Sequence, residues 1–495
     1  MTITRTMMTT ACLAASMSLG GLAHADIANH PDDLVFEALD FDPPASNDFR
    51  YTLSNGVTVF LAPSSELPLV NIAFTFKGGT YLEPADHVGL ASMTGGLIRS
   101  GGTSSLSPQE LDEQLDFLAA EASASIGGTR SSASLNTLRM NLDESMKLFM
   151  DMVRNPGFND ERFRVRRDQM VEGMRQRNDD ASSILAREWN ALMYGRDHFE
   201  ARVPTKETID AISIDDMREL HAKIFNPANL IIAVNGDFEP SAMLDRLEQA
   251  CAGWTMGERV GDPPAPAHTP TPGVYHVEKD IPQGKVRMGM RGMKRDDPDQ
   301  IATDVMNDIL GGGGFTSRIM RTVRSDEGLA YGARSSFQHG VYYPGEFSCS
   351  VESKNATVAL AIKLMQNEIK GVRNELVTDG ELETTKNSFV ETFPRRFESK
   401  ARMLGTFVDD EMTGRDTTYW DSYRDQVTST TLEDVRRVAS THLQPDNMII
   451  LVVGKWDEIA PGDIHGEGRA SMQDFFNGEV EHLPLRDPLT QEPVK

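Results

Sequence analysis

The chain has 495 residues, of which 39% are apolar and 25% are charged, a composition typical of a soluble globular protein with more than one domain. Its 49 Lys and Arg residues against 74 Asp and Glu residues leave a net charge of −25. That balance argues against nucleic acid as a partner, because phosphate backbones are bound through surfaces rich in Lys and Arg.

The N-terminus has the pattern of a cleavable export signal over residues 1–25. Arg5 supplies a positive charge, residues 11–22 form an apolar and small-residue core, and Ala23-His24-Ala25 is a cleavage site of the A-x-A type. An uncleaved anchor is the alternative, although the apolar core is short for a membrane span. We expect a mature protein that is exported to a bacterial periplasm and is not inserted in the membrane after cleavage.

The first predicted elements after the signal are a β-hairpin and a capped helix. Asn55-Gly56 separates two strand-like runs, residues 51–53 and 57–60, and this dipeptide is typical of a two-residue hairpin turn. Ser107 and Glu110, with Pro108 between them, form a capping box at the start of a helix.

An internal repeat organises the rest of the chain. Residues 225–238 read FNPANLIIAVNGDF, and residues 443–456, which lie 218 positions later, read LQPDNMIILVVGKW. Each copy follows a helix with a capping-box start, Ser213 to Asp216 in the first and Thr431 to Asp434 in the second. Strand-like runs after Pro68 and Pro282 also correspond. The sequence therefore predicts one structural unit that is present twice.

A Pro-rich segment, residues 261–273, separates the two copies as an extended linker. It divides the mature chain into predicted domains at 45–260 and 274–480, and the tail after Pro461 is expected to be loosely ordered. Strands and helices in blocks predict an α+β fold, with two homologous domains that each have a mostly antiparallel sheet covered by helices. Cys251 and Cys349 fall in different predicted domains, so a disulfide and two buried free thiols both remain open.

Three kinds of catalytic site are missing from the sequence. No two of the eleven histidines stand three to five residues apart, so neither H-E-x-x-H nor H-x-x-E-H occurs. There is no G-x-S-x-G nucleophile motif, and the glycines at 311–314 are not followed by the Gly-Lys-Ser/Thr of a phosphate loop. We therefore expect no metal site in this chain alone, and no serine hydrolase or nucleotide-binding site.

The segment 89–103, GLASMTGGLIRSGGT, resembles the zinc-binding segment of the insulinase/pitrilysin metallopeptidases. In that family the helix carries H-x-x-E-H. The resemblance aligns the first histidine with Ser92, the glutamate with Gly95 and the second histidine with Gly96. None of these residues can replace a zinc ligand or the general base. Glu172 lies near the position of the family's third ligand, and without histidine partners we expect it to be an exposed helix carboxylate.

The segment 311–331, GGGGFTSRIMRTVRSDEGLAY, resembles the second-domain signature of the same family. The resemblance implies that Arg324 and Tyr331 reach the zinc site of an opposite domain, where they bind the substrate backbone and stabilise the oxyanion. It also implies that the Gly-rich turn at residues 311–315 offers backbone N–H donors to a peptide. The residues expected to bind substrate through this turn are Gly312, Gly313, Gly314 and Phe315.

An absent metal motif with an intact Arg–Tyr pair is similar to the heterodimeric bacterial branch of the family and to processing-peptidase subunits. It implies a non-zinc subunit of a periplasmic zinc metallopeptidase that is inactive alone and acts on peptides with a homologous, zinc-bearing partner. The zinc is then expected in the partner. Two alternatives remain: a catalytically silent scaffold or peptide-binding member of the family, and a self-sufficient hydrolase with an unrecognised site.

Overall fold

The computed structural model describes residues 40–463 and 469–494. The predicted export signal, 1–25, lies outside these residues. From Asp42 onward the chain forms one compact unit.

Two six-stranded sheets form the framework. The first sheet contains β1 (Arg50–Thr52), β2 (Thr58–Pro63), β3 (Leu69–Lys77), β4 (Glu121–Ile126), β5 (Arg130–Leu138) and β6 (Leu230–Gly236). The second contains β7 (Gly273–Glu278), β8 (Gln283–Arg291), β9 (Ala333–Phe337), β10 (Glu346–Lys354), β11 (Ile449–Gly454) and β12 (Val480–Leu483).

The helices fall into two matching series. Those of the first half are α1 (Leu90–Ser100), α2 (Pro108–Phe117), α3 (Leu142–Arg154), α4 (Asp160–Arg175), α5 (Ala181–Tyr194), α6 (Lys206–Ala211), α7 (Ile214–Ile224) and α8 (Pro240–Cys251). Those of the second half are α9 (Gln300–Asn307), α10 (Arg318–Met320), α11 (Val358–Asn374), α12 (Asp379–Thr392), α13 (Lys400–Thr413), α14 (Tyr419–Ser429), α15 (Leu432–His442) and α16 (Trp456–Ile459). Asp308–Gly312 and Arg321–Asp326 are π-helical.

Five strands of each sheet have the same order and pairing, which confirms the repeat and the α+β fold, whereas the sixth differs: β1 pairs antiparallel with β2, and β12 pairs parallel with β7. The strand order is β1-β2-β6-β3-β5-β4 in the first sheet and β12-β7-β11-β8-β10-β9 in the second. In each sheet the central strand from the repeated sequence, β6 or β11, pairs antiparallel with one neighbour and parallel with the other. Helices cover one face of each sheet with a separate apolar core.

The two halves exchange a helix. On the second face of the first sheet, Phe60 and Ile231 pack against Phe407 of α13, which belongs to the second half. On the second face of the second sheet, Leu451 packs against Trp189 of α5, which belongs to the first half. Strands β6 and β11 are therefore covered on both faces, and this explains why their sequences are continuous apolar runs without alternation.

The local predictions at turns and helix starts are confirmed. Strands β1 and β2 form an antiparallel hairpin around Gly56, whose φ is 86°. Capping boxes begin α2, α7 and α15 at Ser107, Ser213 and Thr431.

Between the halves, residues 261–272 contain no helix or strand, yet they contact the first half. The Tyr81 hydroxyl donates to the Gly261 carbonyl at 2.8 Å, and Lys77 pairs with Asp262 at 2.5 Å. The ring of His268 lies 2.9 Å from the Leu192 carbonyl.

The expectation of a loosely ordered tail is wrong for the part that the structure describes. Strand β12 adds to the edge of the second sheet beside β7, and the chain then returns to the first half. There the Lys206 N–H donates to the Leu489 carbonyl and Arg177 donates to the Pro488 carbonyl, at 2.8 and 3.1 Å. Tertiary contacts hold this segment, and its own sequence pattern gives no sign of them.

Cys251 and Cys349 are buried free thiols, which decides between the two alternatives. Burial raises the pKa of the Cys251 thiol to about 11, so it stays protonated near neutral pH.

Among the described residues, none of the helices has the length and apolar character needed to cross a bilayer.

Candidate functional site

Helix α1 holds the segment that resembles a metal-binding helix. The N–H groups of Gly89 and Ala91 donate to the buried Glu83 carboxylate at 3.2 and 2.5 Å. Burial raises the pKa of Glu83, while these two hydrogen bonds act in the opposite direction. An acceptor at a helix N-terminus satisfies backbone donors that have no partner within the helix. The helix is therefore held firmly, although its ligand positions are empty of metal-binding side chains.

Of the three positions aligned with the metal ligands and the general base, Gly95 is closely packed. Ser92 is exposed, and Gly95 presses on β4 so closely that a Cβ atom would lie 2.6 Å from the backbone nitrogen of Ile126. A Cβ on Gly96 would lie 3.4 Å from Nε of Arg166, on α4. These residues do not fit zinc, because they offer one hydroxyl and no imidazole or carboxylate, and because the Arg166 guanidinium would repel a cation.

Two other residues near this helix have structural partners. Glu172 on α4 is exposed and lies 3.3 Å from Arg175, which confirms the prediction of an exposed helix carboxylate. His87 lies 2.8 Å from Asp86 and 3.7 Å from Asp216, and the hydrogen bond with Asp86 is the main cause that raises its pKa.

A group with metal-ligand spacing occurs in the second half among the described residues, formed by Asp297, Asp299 and His442. Asp299 is already paired with Arg437 at 2.7 Å and with His442 at 2.8 Å. We interpret the group as a salt-bridge cluster.

The Arg–Tyr segment forms a compact stack at the surface. The Cζ atom of Arg324 lies 4.7 Å from the centre of the Phe315 ring and 4.6 Å from the centre of the Tyr331 ring. Both rings are largely exposed, Phe315 at 70% and Tyr331 at 87%. Within the described part of the chain, the Arg324 guanidinium has no carboxylate at ion-pair distance. The structure thus brings together three of the six predicted site residues.

Backbone contacts under the stack fix its position. Val323 is fully buried, and its carbonyl accepts from the Leu329 N–H at 2.9 Å. The Leu329 carbonyl in turn accepts from the Ser353 hydroxyl at 2.9 Å, which ties the loop to β10. Glu327, next to the loop, pairs with Arg469 at 2.9 Å.

Gly311 and Gly312, before the stack, end a π-helical turn that packs on the second sheet. A Cβ on Gly311 would lie 2.5 Å from the backbone nitrogen of Ser335 in β9, so the turn approaches β9 as closely as α1 approaches β4. The Gly313 N–H donates to the Asp308 carbonyl at 2.8 Å and is already satisfied within the chain. Gly312 lies against Asn307, and Gly314 adopts a positive φ of 62°.

A bidentate ion pair supports the helix that leads to Arg324. Nε and Nη2 of Arg318 each donate to the Glu381 carboxylate at 2.7 Å. Burial alone would raise the pKa of Glu381, but the hydrogen bonds from Arg318 and Thr378 lower it to about 2. The pair stays ionised at any physiological pH and fixes this helix to α12.

The stack can present hydrogen-bond donors to a ligand. Contacts with the two exposed rings restrain the half-buried Arg324 guanidinium, and its planar donor edge suits a carbonyl or carboxylate. The Tyr331 phenol adds a further O–H donor beside it. Donors of this kind stabilise negative charge that develops on a substrate oxygen.

Sequence reasoning missed two features of these sites. It grouped Phe315 with the glycines as a substrate-binding residue and did not identify it as a stacking partner of Arg324. It also missed Arg166, which packs over the region aligned with the metal ligands. The run RFRVRR at residues 162–167 was a signal for the latter, because residues on α4 three to four apart share the face that contacts α1.

The chain is similar to known proteins in sequence and in fold. Residues 211–389 match the domain described as "Peptidase M16 inactive domain". The chain is 22% identical over 400 residues to "Non-peptidase homolog YmxG" of Helicobacter pylori, a match that covers 80% of this chain and 91% of that one.

Among solved structures, a peptidase M16 inactive domain from Pseudomonas fluorescens has a TM-score of 0.74 and 24% identity, with 82% of this chain and 98% of that chain covered. The periplasmic protease PqqL from Escherichia coli has a TM-score of 0.69 and 16% identity, with 88% of this chain but 49% of that chain covered. At these identities the structural matches show a shared fold. The sequence matches place an M16 inactive domain at residues 211–389 and show that the chain is similar to insulinase-like M16 homologues.

Proposed function

We propose that this chain is the non-zinc subunit of a periplasmic, heterodimeric zinc metallopeptidase. The observation that carries the proposal is the stack of Phe315, Arg324 and Tyr331, which is exposed and rigidly supported and has donors without partners in the described chain. In this role Arg324 binds a peptide carbonyl and Tyr331 donates to the oxygen that gains negative charge. The zinc and the general base belong to a homologous partner.

Two observations support a division of the active site between two chains. Helix α1 cannot supply the metal site, because Ser92, Gly95 and Gly96 offer no imidazole or carboxylate, and because a side chain at Gly95 would require movement of β4. The periplasmic protease PqqL is matched over only 49% of its length, although 88% of this chain is covered. One chain of that protease thus has room for two units of this size, and we infer that two separate chains form the equivalent arrangement here.

The periplasmic location rests on the export-signal pattern of residues 1–25. It is tested by N-terminal sequencing of the protein recovered from a periplasmic extract. Cleavage after Ala25 is expected, and an intact N-terminus recovered from the cytoplasm would contradict it.

The proposed role is tested by co-expression with an M16 homologue that carries H-x-x-E-H and by an assay of peptide cleavage. Arg324→Ala and Tyr331→Phe are each expected to reduce kcat/KM by about 10²-fold or more, since each removes a donor to developing charge. Arg321→Ala, an exposed arginine in the same π-helical segment, is the matched control and should retain activity. Full activity of the Arg324→Ala, Tyr331→Phe double variant in the complex would refute the assigned roles.

The second candidate function is a catalytically silent scaffold or peptide-binding protein. The name of the Helicobacter pylori relative, a non-peptidase homologue, favours it. This candidate predicts that the purified chain binds peptides without turnover and co-purifies with no zinc-bearing homologue. Cleavage that depends on a zinc-bearing partner and on Arg324 would exclude it.

A further inference from the structure

A groove that uses none of the Arg–Tyr residues runs along α13 where the two halves meet. Three adjoining cavities of about 690, 490 and 410 Å³ all have Asp409 in their walls, and we name them together the Asp409 groove. One end lies between α13 and the second face of the first sheet, and the other lies among α13, α14 and the Phe393–Phe397 turn. Gly405 separates the first two cavities and contributes no side chain.

The second and third cavities are rich in arginine. Their walls contain only arginine as a cation and only aspartate as an anion. The arginines are Arg130, Arg295, Arg395, Arg396, Arg402 and Arg415, and the aspartates are Asp304, Asp409 and Asp410. A local excess of positive charge in a chain of net charge −25 favours an anionic ligand at this place, because like charges held together repel one another.

Most of the guanidinium groups in these two cavities already have partners, but Arg396 is held in place without one. Arg415 lies 3.3 Å from Asp410, Arg402 pairs with Glu398 at 2.6 Å, and Arg130 pairs with Asp409. Arg396, by contrast, has its Cζ atom 4.3 Å from the centre of the Trp420 ring. In the described residues, no carboxylate lies within ion-pair distance of it.

The surroundings of Trp420 make this arrangement rigid. Trp420 is 8% exposed, and its Nε1–H donates to Asp410 at 2.6 Å. On this fixed ring the Arg396 guanidinium is restrained by stacking, and its paired N–H edges remain accessible for a carboxylate. A charge-assisted, bidentate contact of this type is among the stronger polar interactions that a protein surface offers.

The first cavity has the chemistry of a surface that binds extended polypeptide. Side-chain amides of Asn71, Asn136 and Asn235 face it from three neighbouring strands, and Leu404 and Val408 of α13 provide an apolar wall. Amides can both donate to and accept from a peptide backbone, and the apolar wall accommodates aliphatic side chains. A small inorganic anion would make no use of the apolar wall.

We propose that the Asp409 groove binds an extended peptide segment whose carboxylate pairs with Arg396. The carboxylate is either an acidic side chain or the C-terminal carboxyl group. The inference rests on the proposed function only in that the ligand is a peptide. It concerns a site on this chain alone and needs neither Arg324 nor a partner subunit.

The test measures fluorescence anisotropy of the purified chain with a short fluorescein-labelled peptide of alternating alanine and glutamate. Arg396→Gln is expected to weaken binding about tenfold, the loss of one charge-assisted pair. Arg436→Gln, an exposed arginine on α15 outside the groove, is the control for loss of one charge. Gly405→Met should also weaken binding, because it fills the passage between the first two cavities. Unchanged thermal unfolding of each variant verifies its fold.

Peptide variants separate the two carboxylate sources. If a side chain is recognised, the glutamine version binds about tenfold more weakly. If the C-terminal carboxyl group is recognised, the peptide with an amidated C-terminus binds about tenfold more weakly. The proposal is overturned if the glutamine peptide and the amidated peptide both bind as tightly as the original peptide. It is also overturned if Arg396→Gln and Arg436→Gln have equal effects, or if the wild-type chain binds no peptide.

Arg324→Ala keeps this inference distinct from the proposed function. Unchanged anisotropy of that variant with lost cleavage in the complex supports both. If Arg324→Ala retains cleavage in the complex while peptide binding still depends on Arg396, the proposed function alone is refuted. If Arg324→Ala loses peptide binding, the separate site is refuted.

Discussion

At the residue scale, close backbone approach decides why helix α1 has glycine where a metal-binding helix has ligands. Gly95 packs on the backbone of β4, so its lack of a side chain is a requirement of packing. Position 96 faces Arg166, which can move more readily than backbone. The structure shows an α-helix over Leu90–Ser100 with close packing at Gly95.

Gly95→Ala tests this packing. A Cβ at 2.6 Å from the Ile126 nitrogen forces the helix or the strand to shift, at a cost of about 1–3 kcal/mol, which exceeds the gain of up to about 1 kcal/mol in helix propensity. We expect a net loss in the free energy of unfolding, measured by urea denaturation. Gly405→Ala is the control, since nothing lies within 4 Å of its Cβ position, and it should be neutral or stabilising. A stabilising Gly95→Ala would contradict the model of tight contact.

His221 predicts how stability depends on pH. The ring is stacked on Phe225 and its Nε2 lies 2.8 Å from the Val153 carbonyl, and burial lowers its pKa from 6.5 to about 4. Below pH 6.5 the unfolded chain takes up a proton that the folded chain refuses until about pH 4. The free energy of unfolding therefore falls as the pH drops through this window, by up to roughly 3 kcal/mol from this group.

The measurement is urea denaturation of the wild type and of His221→Gln between pH 7.5 and 4. The difference in stability between the two should narrow as the pH falls, because glutamine does not titrate. His268→Gln, at an exposed histidine, serves as control. A constant difference across the window would show that His221 does not stay neutral in the folded protein.

At the element scale, the exchange of α5 and α13 joins the two repeats into one unit. Each repeat leaves one face of its sheet open and covers that face with a helix from the other repeat. An apolar face of this size requires a cover. Each of the two helices lies within its own repeat in sequence, and only the assembled structure shows that it crosses to the other sheet.

Phe407→Ala on α13 tests the coupling. Phe407 is 2% exposed, and its ring lies 5.9 Å from Phe60 in the first sheet. The loss of a buried phenylalanine costs about 3–5 kcal/mol, and we expect hydrogen exchange of β2 and β6 to accelerate together with that of α13. Phe117→Ala, at an exposed phenylalanine, should leave exchange unchanged. Faster exchange confined to α13 would mean that the first sheet does not depend on this helix.

At the scale of the whole molecule, the framework of two sheets and their helices is the fold shared with M16 proteins, and the two halves differ in the side chains that they present at the surface. The first half keeps the helix of a metal site without ligands, and the second keeps the supported stack of Arg324, Phe315 and Tyr331. Tyr331 is 87% exposed and contributes little to a core.

Sequence patterns are sufficient to predict the repeat, the capped helices, the hairpin at Asn55-Gly56, the absence of a zinc motif and the spacing of Arg324 and Tyr331. These are properties of short segments, whose spacing and composition are visible along the chain. Only the tertiary structure decided the helix exchange, the packing of Gly95, the ordered tail and the Asp409 groove. Each of these depends on residues far apart in sequence, such as Arg130 and Asp409, and a pattern of neighbouring residues carries no information about which distant surface will cover it.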